Sequence, residues 1–191
     1  AGDIYSKAIS NVGTISASTN TGKAGDVKLT ATEGTVINSG LIEAKSSSGT
    51  GGTVQMLGDK VGLFDAGMID VSGSDGGGTV LVGGDYQGKG DVLTASRTYV
   101  GPDSSIIADA TENGDGGKVI VWADEITRFY GDISARGGDQ GGDGGFVEVS
   151  GKTSLEFAGA VDAKAPNGEI GTLLLDPTDI TVVTAGANAT S

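Results

Sequence analysis

Hydrophobic and polar residues alternate in short runs along this chain, and similar runs recur. The first clear example is Gly13-Thr14-Ile15-Ser16-Ala17, a Gly-x-Ile-x-Ala unit that returns in later copies. Alternation with a period of two places successive side chains on opposite faces of an extended strand. These units do not show the spacings of three and four residues that mark an amphipathic helix. The pattern therefore predicts short β-strands.

The strand units follow one another in a fixed order with a period near 27 residues. Copies of the first unit begin at Gly13, Gly40, Gly67, Gly131 and Gly159, at intervals of 27, 27, 64 and 28 residues. The interval of 64 contains a degenerate copy at 105–109 and an insertion. A second unit follows each copy after a Gly-rich gap; it begins at Gly25, Gly52, Gly78, Gly117, Gly145 and Gly171. A third, looser unit precedes the first.

Three short strands per period, repeated at a constant interval, are typical of a solenoid. We predict an all-β fold, a right-handed parallel β-helix of about six coils with three strands each. Residues 1–181 should form one β-helix segment with an insertion at about 84–104. Residues 182–191 should be a tail or the beginning of another coil.

The predicted coils bring equivalent residues into vertical register. One aliphatic stack contains Ile15, Ile42, Ile69, Ile133 and Val161; a second contains Val27, Val54, Val80, Val119, Val147 and Leu173. A further register holds Asn11, Asn38 and Asp65 early in the chain and Phe129 and Phe157 late in the chain. Stacked Asn side chains can bond to one another, and stacked Phe rings can pack. The Gly-rich clusters between units are expected at sharp corners that need a positive φ.

Composition supports a folded chain and removes several functions. Glycine accounts for 36 of 191 residues without a triplet period, so a collagen helix is excluded. The absence of Cys and His removes disulfides, thiolate chemistry and the commonest general base and metal ligand. The formal net charge of −13 argues against nucleic acid as a partner. No apolar run reaches the roughly 18 residues of a membrane-spanning helix, so we expect no membrane insertion.

Three phrases carry a family resemblance: VIVWAD at 119–124, GGFVEVSGK at 144–152 and TLLLDPTDI at 172–180. They resemble the filamentous-haemagglutinin type of exoprotein of two-partner secretion systems, a group that includes large biofilm adhesins. The resemblance covers residues 40–181. It implies a secreted β-helical fibre, exported through an outer-membrane partner and displayed on the bacterial cell surface. The family's secretion-targeting motifs are not evident, so we expect shaft rather than export signal.

The insertion is the first candidate binding site, because long loops on a repetitive scaffold collect binding residues. Tyr86 and Tyr99 could stack on sugar rings, with Lys89 and Arg97 as hydrogen-bond donors. The alternative is a loop that only packs on the side of the rod. The alternation along its strand predicts that the Trp122 side chain points outward. It is either an exposed sugar platform or a residue packed under the insertion or under Arg128, and packing is the favoured alternative.

The acidic corners are a second candidate, as oxygen ligands for Ca²⁺. They contain Asp75, Asp115, Asp139 and Asp143. Aspartate also suits turns in its own right, which is the favoured interpretation, and no other cofactor is expected. The close carboxylate pairs are Asp124 with Glu125 and Asp176 with Asp179. Neither pair is accompanied by a Lys or Arg cluster, so we predict that the chain is not an enzyme.

Two functional hypotheses follow from these observations. The first is a structural and adhesive rod segment of a large secreted bacterial exoprotein, which attaches to other cells, matrix exopolysaccharide or a host glycan or receptor. The alternative is a dedicated carbohydrate-binding module that uses the 84–104 insertion and Trp122.

Overall fold

The computed structural model describes residues 7–178, and within this range it contains 16 short strands. Every pairing between these strands is parallel. The predicted tail at 182–191 and Asp179 lie outside the described residues. No helix within 7–178 is long and apolar enough to cross a membrane.

The strands form three faces, each built from one strand or half-strand per coil. The first face contains the first half of β3 (Asp26–Asn38) and of β5 (Thr53–Leu63), with β7 (Thr79–Val82), β10 (Lys118–Ala123), β13 (Phe146–Gly151) and β16 (Thr172–Leu174). The second face contains β1 (Lys7–Asn11), the second halves of β3 and β5, β8 (Arg97–Val100), β11 (Ile126–Phe129) and β14 (Ser154–Phe157). The third face contains β2 (Thr14–Ser16), β4 (Leu41–Glu43), β6 (Met68–Asp70), β9 (Ser105–Ile107), β12 (Asp132–Ser134) and β15 (Ala160–Asp162).

This arrangement is a parallel β-solenoid of about six turns, and the predicted fold class is confirmed. Each strand pairs with the equivalent strand of the next coil, at a spacing of about 4.8 Å. The first and second faces form one continuous hydrogen-bonded sheet, because β3 and β5 run through the corner between them.

The core consists of the inward side chains of the three faces. On the third face Ile42 and Ile69 are fully buried and in register, as the repeat predicted, and Ile106 continues this stack, one residue earlier than the degenerate copy at 105–109 implied. On the first face Val54 and Val80 are likewise buried and paired. These stacks form one continuous hydrophobic cluster that runs through the middle coils.

The predicted polar and aromatic ladders both form. Asn11 Nδ2 donates a hydrogen bond to Asn38 Oδ1 at 2.8 Å, and Asn38 is fully buried. Phe129 and Phe157 stack with ring centroids 5.2 Å apart and planes inclined by 14°. The register therefore changes from amide ladder to aromatic stack along the rod.

The prediction that Asp65 belongs to this ladder is wrong. Leu63 is the residue opposite Asn38 in the pairing of β3 with β5. Two differences of two residues compensate for each other. Between Ala31 and Thr35, β3 contains two more residues than the paired part of β5. The corner after β5 then has four residues, where the corner after β3 has two. Asp65 lies in this longer corner with a φ of 51°. The sequence period therefore stays at 27 while the local register changes.

The repeated glycines have two different physical causes. Glycines at the corner before the first face have a positive φ, as predicted; they are Gly22, Gly49, Gly76, Gly114 and Gly142. The glycine that opens the first face in each coil has no positive φ. A Cβ on Gly117, for example, would overlap the carbonyl oxygen of Gly78 in the preceding coil. Close approach between coils therefore keeps this second column free of side chains.

Candidate functional site: an aromatic groove and a capped tryptophan

The six predicted ligand residues separate into two places on the rod. Tyr86, Lys89 and Trp122 lie at the outside of the first face. Arg97, Tyr99 and Arg128 lie at the outside of the second face, because β8 pairs in register with β5 and β11. The long connection of this coil spans 83–96, between β7 and β8, where β5 has three residues at 57–59; the sequence placed the insertion at about 84–104.

Outward side chains of the second face form a groove of roughly 260 Å³, which we call the aromatic groove. It crosses four successive coils, from β3 through β5 and β8 to β11. Its principal lining residues are Lys60, Phe64, Arg97, Tyr99, Ile126 and Arg128. Three of the predicted ligand residues, Arg97, Tyr99 and Arg128, are thus brought together here.

Aromatic rings form one wall of the aromatic groove. Phe64 and Tyr99 stack with centroids 4.8 Å apart and planes inclined by 25°, and Tyr130 meets Tyr99 edge to face at 5.8 Å. The ring of Phe64 lies over Gly62, where a Cβ would overlap it. Half-buried and exposed rings of this kind offer flat apolar faces next to polar tips.

Sequence reasoning missed Phe64 and Tyr130. The insertion lies between Phe64 and Tyr99 in the sequence, so the period of 27 residues does not align them. In addition, the longer corner after β5 shifts Phe64 relative to the equivalent residues of other coils. The sequence shows Gly62 two residues before Phe64, but the pairing of Gly62 with Tyr99 and the exposure of Phe64 are evident only in the structure.

Every cation of the aromatic groove has a carboxylate neighbour. The ion pairs are Lys60 with Asp59 at 3.6 Å, Arg97 with Glu125 at 3.5 Å and Arg128 with Glu156 at 3.3 Å. All six side chains are well exposed, so these pairs contribute little to stability. A hydrogen bond to Glu156 raises the pKa of the Tyr130 hydroxyl. The groove therefore presents donors and acceptors next to apolar ring faces.

Residues 83–96 form a cap over the first face, which we call the insertion cap. Lys118 Nζ lies 2.7 Å from Asp85 Oδ1, and Thr94 Oγ1 donates to Asp124 Oδ2 at 2.6 Å. Burial alone would raise the pKa of Asp85, but hydrogen bonds from Lys118 and the Tyr86 backbone N–H outweigh it, and the pKa is lowered. The cap is thus fastened to the rod by polar contacts at both ends.

Trp122 lies beneath the insertion cap with 4% of its surface exposed. Its indole ring approaches Gly84 and Gly88 so closely that a Cβ on either would collide with it. Trp122 Nε1 donates to Asp124 Oδ1 at 3.2 Å. Trp122 is therefore packed under the insertion, which was the favoured alternative. It does not form an open sugar platform, and it does not lie under Arg128.

Glu148 is a fully buried carboxylate under the same cap. The backbone N–H of Gln87 donates to both of its oxygens, at 3.2 and 3.1 Å. Burial raises the pKa of Glu148, and the nearby Asp176 adds to this effect, while the bond from Gln87 opposes it. Glu148 therefore binds the cap through a backbone contact.

The outer side of the insertion cap is polar. Tyr86 is 41% exposed and packs edge to face on Phe146, with centroids 5.7 Å apart. Lys89 Nζ donates to Gln87 Oε1 at 2.7 Å. Both Lys89 and the edge of Trp122 border a cleft of roughly 360 Å³ between the cap and residues 176–178.

The four predicted calcium ligands lie at corners, where hydrogen bonds reach the carboxylates of three of them and the backbone carbonyl of Asp139. Asp115 Oδ1 accepts from the backbone N–H of Asp143 at 2.7 Å, and Asp143 Oδ1 accepts from that of Glu169 at 2.8 Å. Asp75 Oδ1 accepts from the Ser74 hydroxyl at 3.3 Å, and the Asp139 carbonyl accepts from Asn167 at 2.7 Å. Within residues 7–178, no three acidic, His or Cys side chains are grouped so that they could hold a metal ion. Calcium binding stays a prediction.

The geometry defines a parallel β-solenoid with a groove on its side. No protein-family model matches the chain, and no curated protein matches it. Among solved structures, it is similar to the HMW1 secretion domain from Haemophilus influenzae, with 31% sequence identity and a TM-score of 0.70. The similarity covers 87% of this chain and 49% of that chain, so this chain spans about half of the matched structure.

This comparison confirms the predicted resemblance to filamentous-haemagglutinin-type exoproteins of two-partner secretion systems. The matched structure is named as a secretion domain. The expectation that the present chain is shaft rather than export signal is not supported by that name, and it stays a prediction.

Proposed function

We propose that this chain is a structural and adhesive segment of a large secreted bacterial exoprotein. The similarity to the HMW1 secretion domain supports secretion, and it supports export through an outer-membrane partner. Display at the bacterial surface and attachment to cells, matrix polysaccharide or host glycans belong to the same proposal. The chain acts by geometry, not as an enzyme.

The aromatic groove is the observation that carries the adhesive part of this proposal. It is built from strands of successive coils, whose inward side chains belong to one buried stack. A ligand in the groove therefore meets a rigid surface, which lowers the entropy cost of binding. Stacked rings beside paired charged side chains suit the apolar faces and hydroxyl groups of sugars.

The alternative is a carbohydrate-binding module that uses the insertion cap. The cleft beside Lys89 and the exposure of Tyr86 favour keeping it as a second candidate. The two candidates differ in which face binds. Replacing residues 83–96 with the three-residue connection found at 57–59 of β5 removes the cap and leaves β8 intact.

The test is binding of the whole chain to immobilised bacterial exopolysaccharides and host glycans, with and without a chelator. If the groove is the adhesive site, the chain without the cap binds as well as the parent chain. If binding is lost when the cap is removed, the binding site is in the insertion rather than in the groove. Loss of glycan binding in the presence of the chelator would support the calcium prediction. Release of new reducing or unsaturated sugar ends would contradict the non-enzymatic proposal.

A further inference from the structure

We propose that the aromatic groove binds an uncharged glycan chain lying along the rod axis. This inference rests on the adhesive function proposed above and specifies its ligand. Trp122 is covered by the insertion cap, and at the acidic corners Asp115 and Asp143 already accept hydrogen bonds from backbone N–H groups.

The ring wall points to a sugar rather than to an extended peptide. Phe64 is 37% exposed, although it stacks on Tyr99, so part of its ring stays accessible next to the groove. The C–H face of a pyranose ring is a flat apolar surface of similar size, and it packs on aromatic rings as an apolar partner. A peptide strand would need free backbone donors and acceptors at a sheet edge. The groove instead lies on the outside of central strands whose backbones are already paired on both sides.

The charge balance points to an uncharged ligand. The three cations that line the groove are each within 3.6 Å of a carboxylate just outside the lining, so the cations and their paired carboxylates together carry no net charge. The formal charge of the whole chain is −13, and this charge repels a polyanion at long range. An acidic polysaccharide would also meet a carboxylate beside each guanidinium, which repels it. Hydroxyl groups can instead accept from Arg97 or Arg128 and donate to the paired carboxylates without breaking the ion pairs.

The direction of the groove follows from its lining. It takes residues from four coils in turn, namely Thr35, Lys60, Arg97 and Ile126. Consecutive coils are about 4.8 Å apart, so the groove extends roughly 14 Å along the axis. A glycan chain lying along this row meets Tyr99 near its middle, and a lateral ligand would cross fewer coils.

The test is isothermal titration of the whole chain with two sets of oligosaccharides of equal length. One set is uncharged and contains linear gluco-, manno- and xylo-oligosaccharides, and the other contains oligogalacturonates. We expect the chain to bind a member of the uncharged set, with an affinity that changes little between low and high salt. Binding of an anionic ligand to cations would weaken as salt screens the charges.

Two variants locate the site. Tyr99→Ala removes the central ring. Gly62→Ala adds a Cβ whose three nearest neighbours are all atoms of the movable ring of Phe64, so it should disturb the groove more than the core. Each should weaken uncharged-glycan binding roughly three- to tenfold, equivalent to about one aromatic contact. Tyr86→Ala removes a tyrosine from the first face, and Arg136→Ala removes an arginine that does not line the groove; both should bind like the parent chain.

The outcomes separate this inference from the function on which it rests. Binding of oligogalacturonate alone, with strong salt dependence, would overturn the uncharged-ligand inference and leave adhesion standing. Binding of uncharged glycans that survives both Tyr99→Ala and Gly62→Ala would overturn the groove as their site. Failure to bind either set would overturn both the inference and the glycan-adhesive function.

Discussion

Replacing Thr98 with Val should destabilise the protein, although the repeat itself suggests the opposite. Thr98 points inward from β8 and is in register with Val61 of the preceding coil and Thr127 of the next. The two coils before β8 have valine at this position, Val36 and Val61, so the repeat by itself would favour valine. However, Thr98 is 3% exposed, and its hydroxyl donates to the Trp122 carbonyl oxygen at 2.6 Å.

The magnitude follows from two opposing effects. Losing the hydroxyl leaves a buried carbonyl without this donor, which costs about 1–3 kcal/mol. The added methyl group returns about 0.8 kcal/mol of hydrophobic stabilisation. The net loss is about 1 kcal/mol, which corresponds to roughly 2–4 °C in Tm for a chain of this size.

The assay is chemical and thermal denaturation followed by far-UV circular dichroism. Thr127 donates to the Ser150 carbonyl at 2.7 Å, so Thr127→Val should reproduce the loss one coil later. Thr53 faces outward from β5, and Thr53→Val is a matched control that should change stability by less than about 0.5 kcal/mol. A gain in stability for Thr98→Val would refute the reasoning, since packing would then outweigh the hydrogen bond.

Three further variants probe other parts of the rod by denaturation. Gly117→Ala should cost more than 3 kcal/mol, or abolish folding, because its Cβ would overlap a backbone carbonyl; a near-native Tm would contradict the close approach between coils. Asn38→Leu should cost about 1–3 kcal/mol, since the side chain donates to the Gly40 carbonyl oxygen at 3.0 Å, and an unchanged midpoint would show that the amide ladder is dispensable. Glu148→Gln tests the pH dependence of stability. In the folded chain the pKa of Glu148 is raised above its unfolded value, which is near 4.3. The resulting stabilisation of the parent chain is complete below the unfolded pKa and is lost as the pH rises through the folded pKa. The parent chain should therefore lose stability relative to Glu148→Gln as the pH rises above about 4. A pH-independent difference would count against the burial argument.

The sequence was sufficient for the fold because a solenoid repeats its constraints. Ile42 and Ile69 occupy the same environment, so the same residue type recurs at the same interval, and the stack can be aligned by eye. Asp65 was misplaced because two local changes cancel in the period. A repeat reveals the average coil, but it conceals compensating differences within one coil.

The site was predictable only in part. Arg97, Tyr99 and Arg128 have the residue types expected for sugar binding, but the sequence could not separate them from Tyr86 and Lys89. The insertion cap ends before β8, and this boundary depends on tertiary pairing rather than on local composition. The burial of Trp122 under the insertion cap was the favoured alternative at the sequence level, and the structure supplies its reason in the adjacent glycines.

The most direct test of this account compares two double variants on the same panel of immobilised glycans. Tyr99→Ala with Arg128→Ala removes a ring and a guanidinium from the aromatic groove. Tyr86→Ala with Arg136→Ala removes the same groups from the other two faces. We predict that the first variant loses glycan binding while its denaturation midpoint stays close to that of the parent chain, and that the second binds normally. Equal binding by both variants would contradict the assignment of adhesion to the aromatic groove.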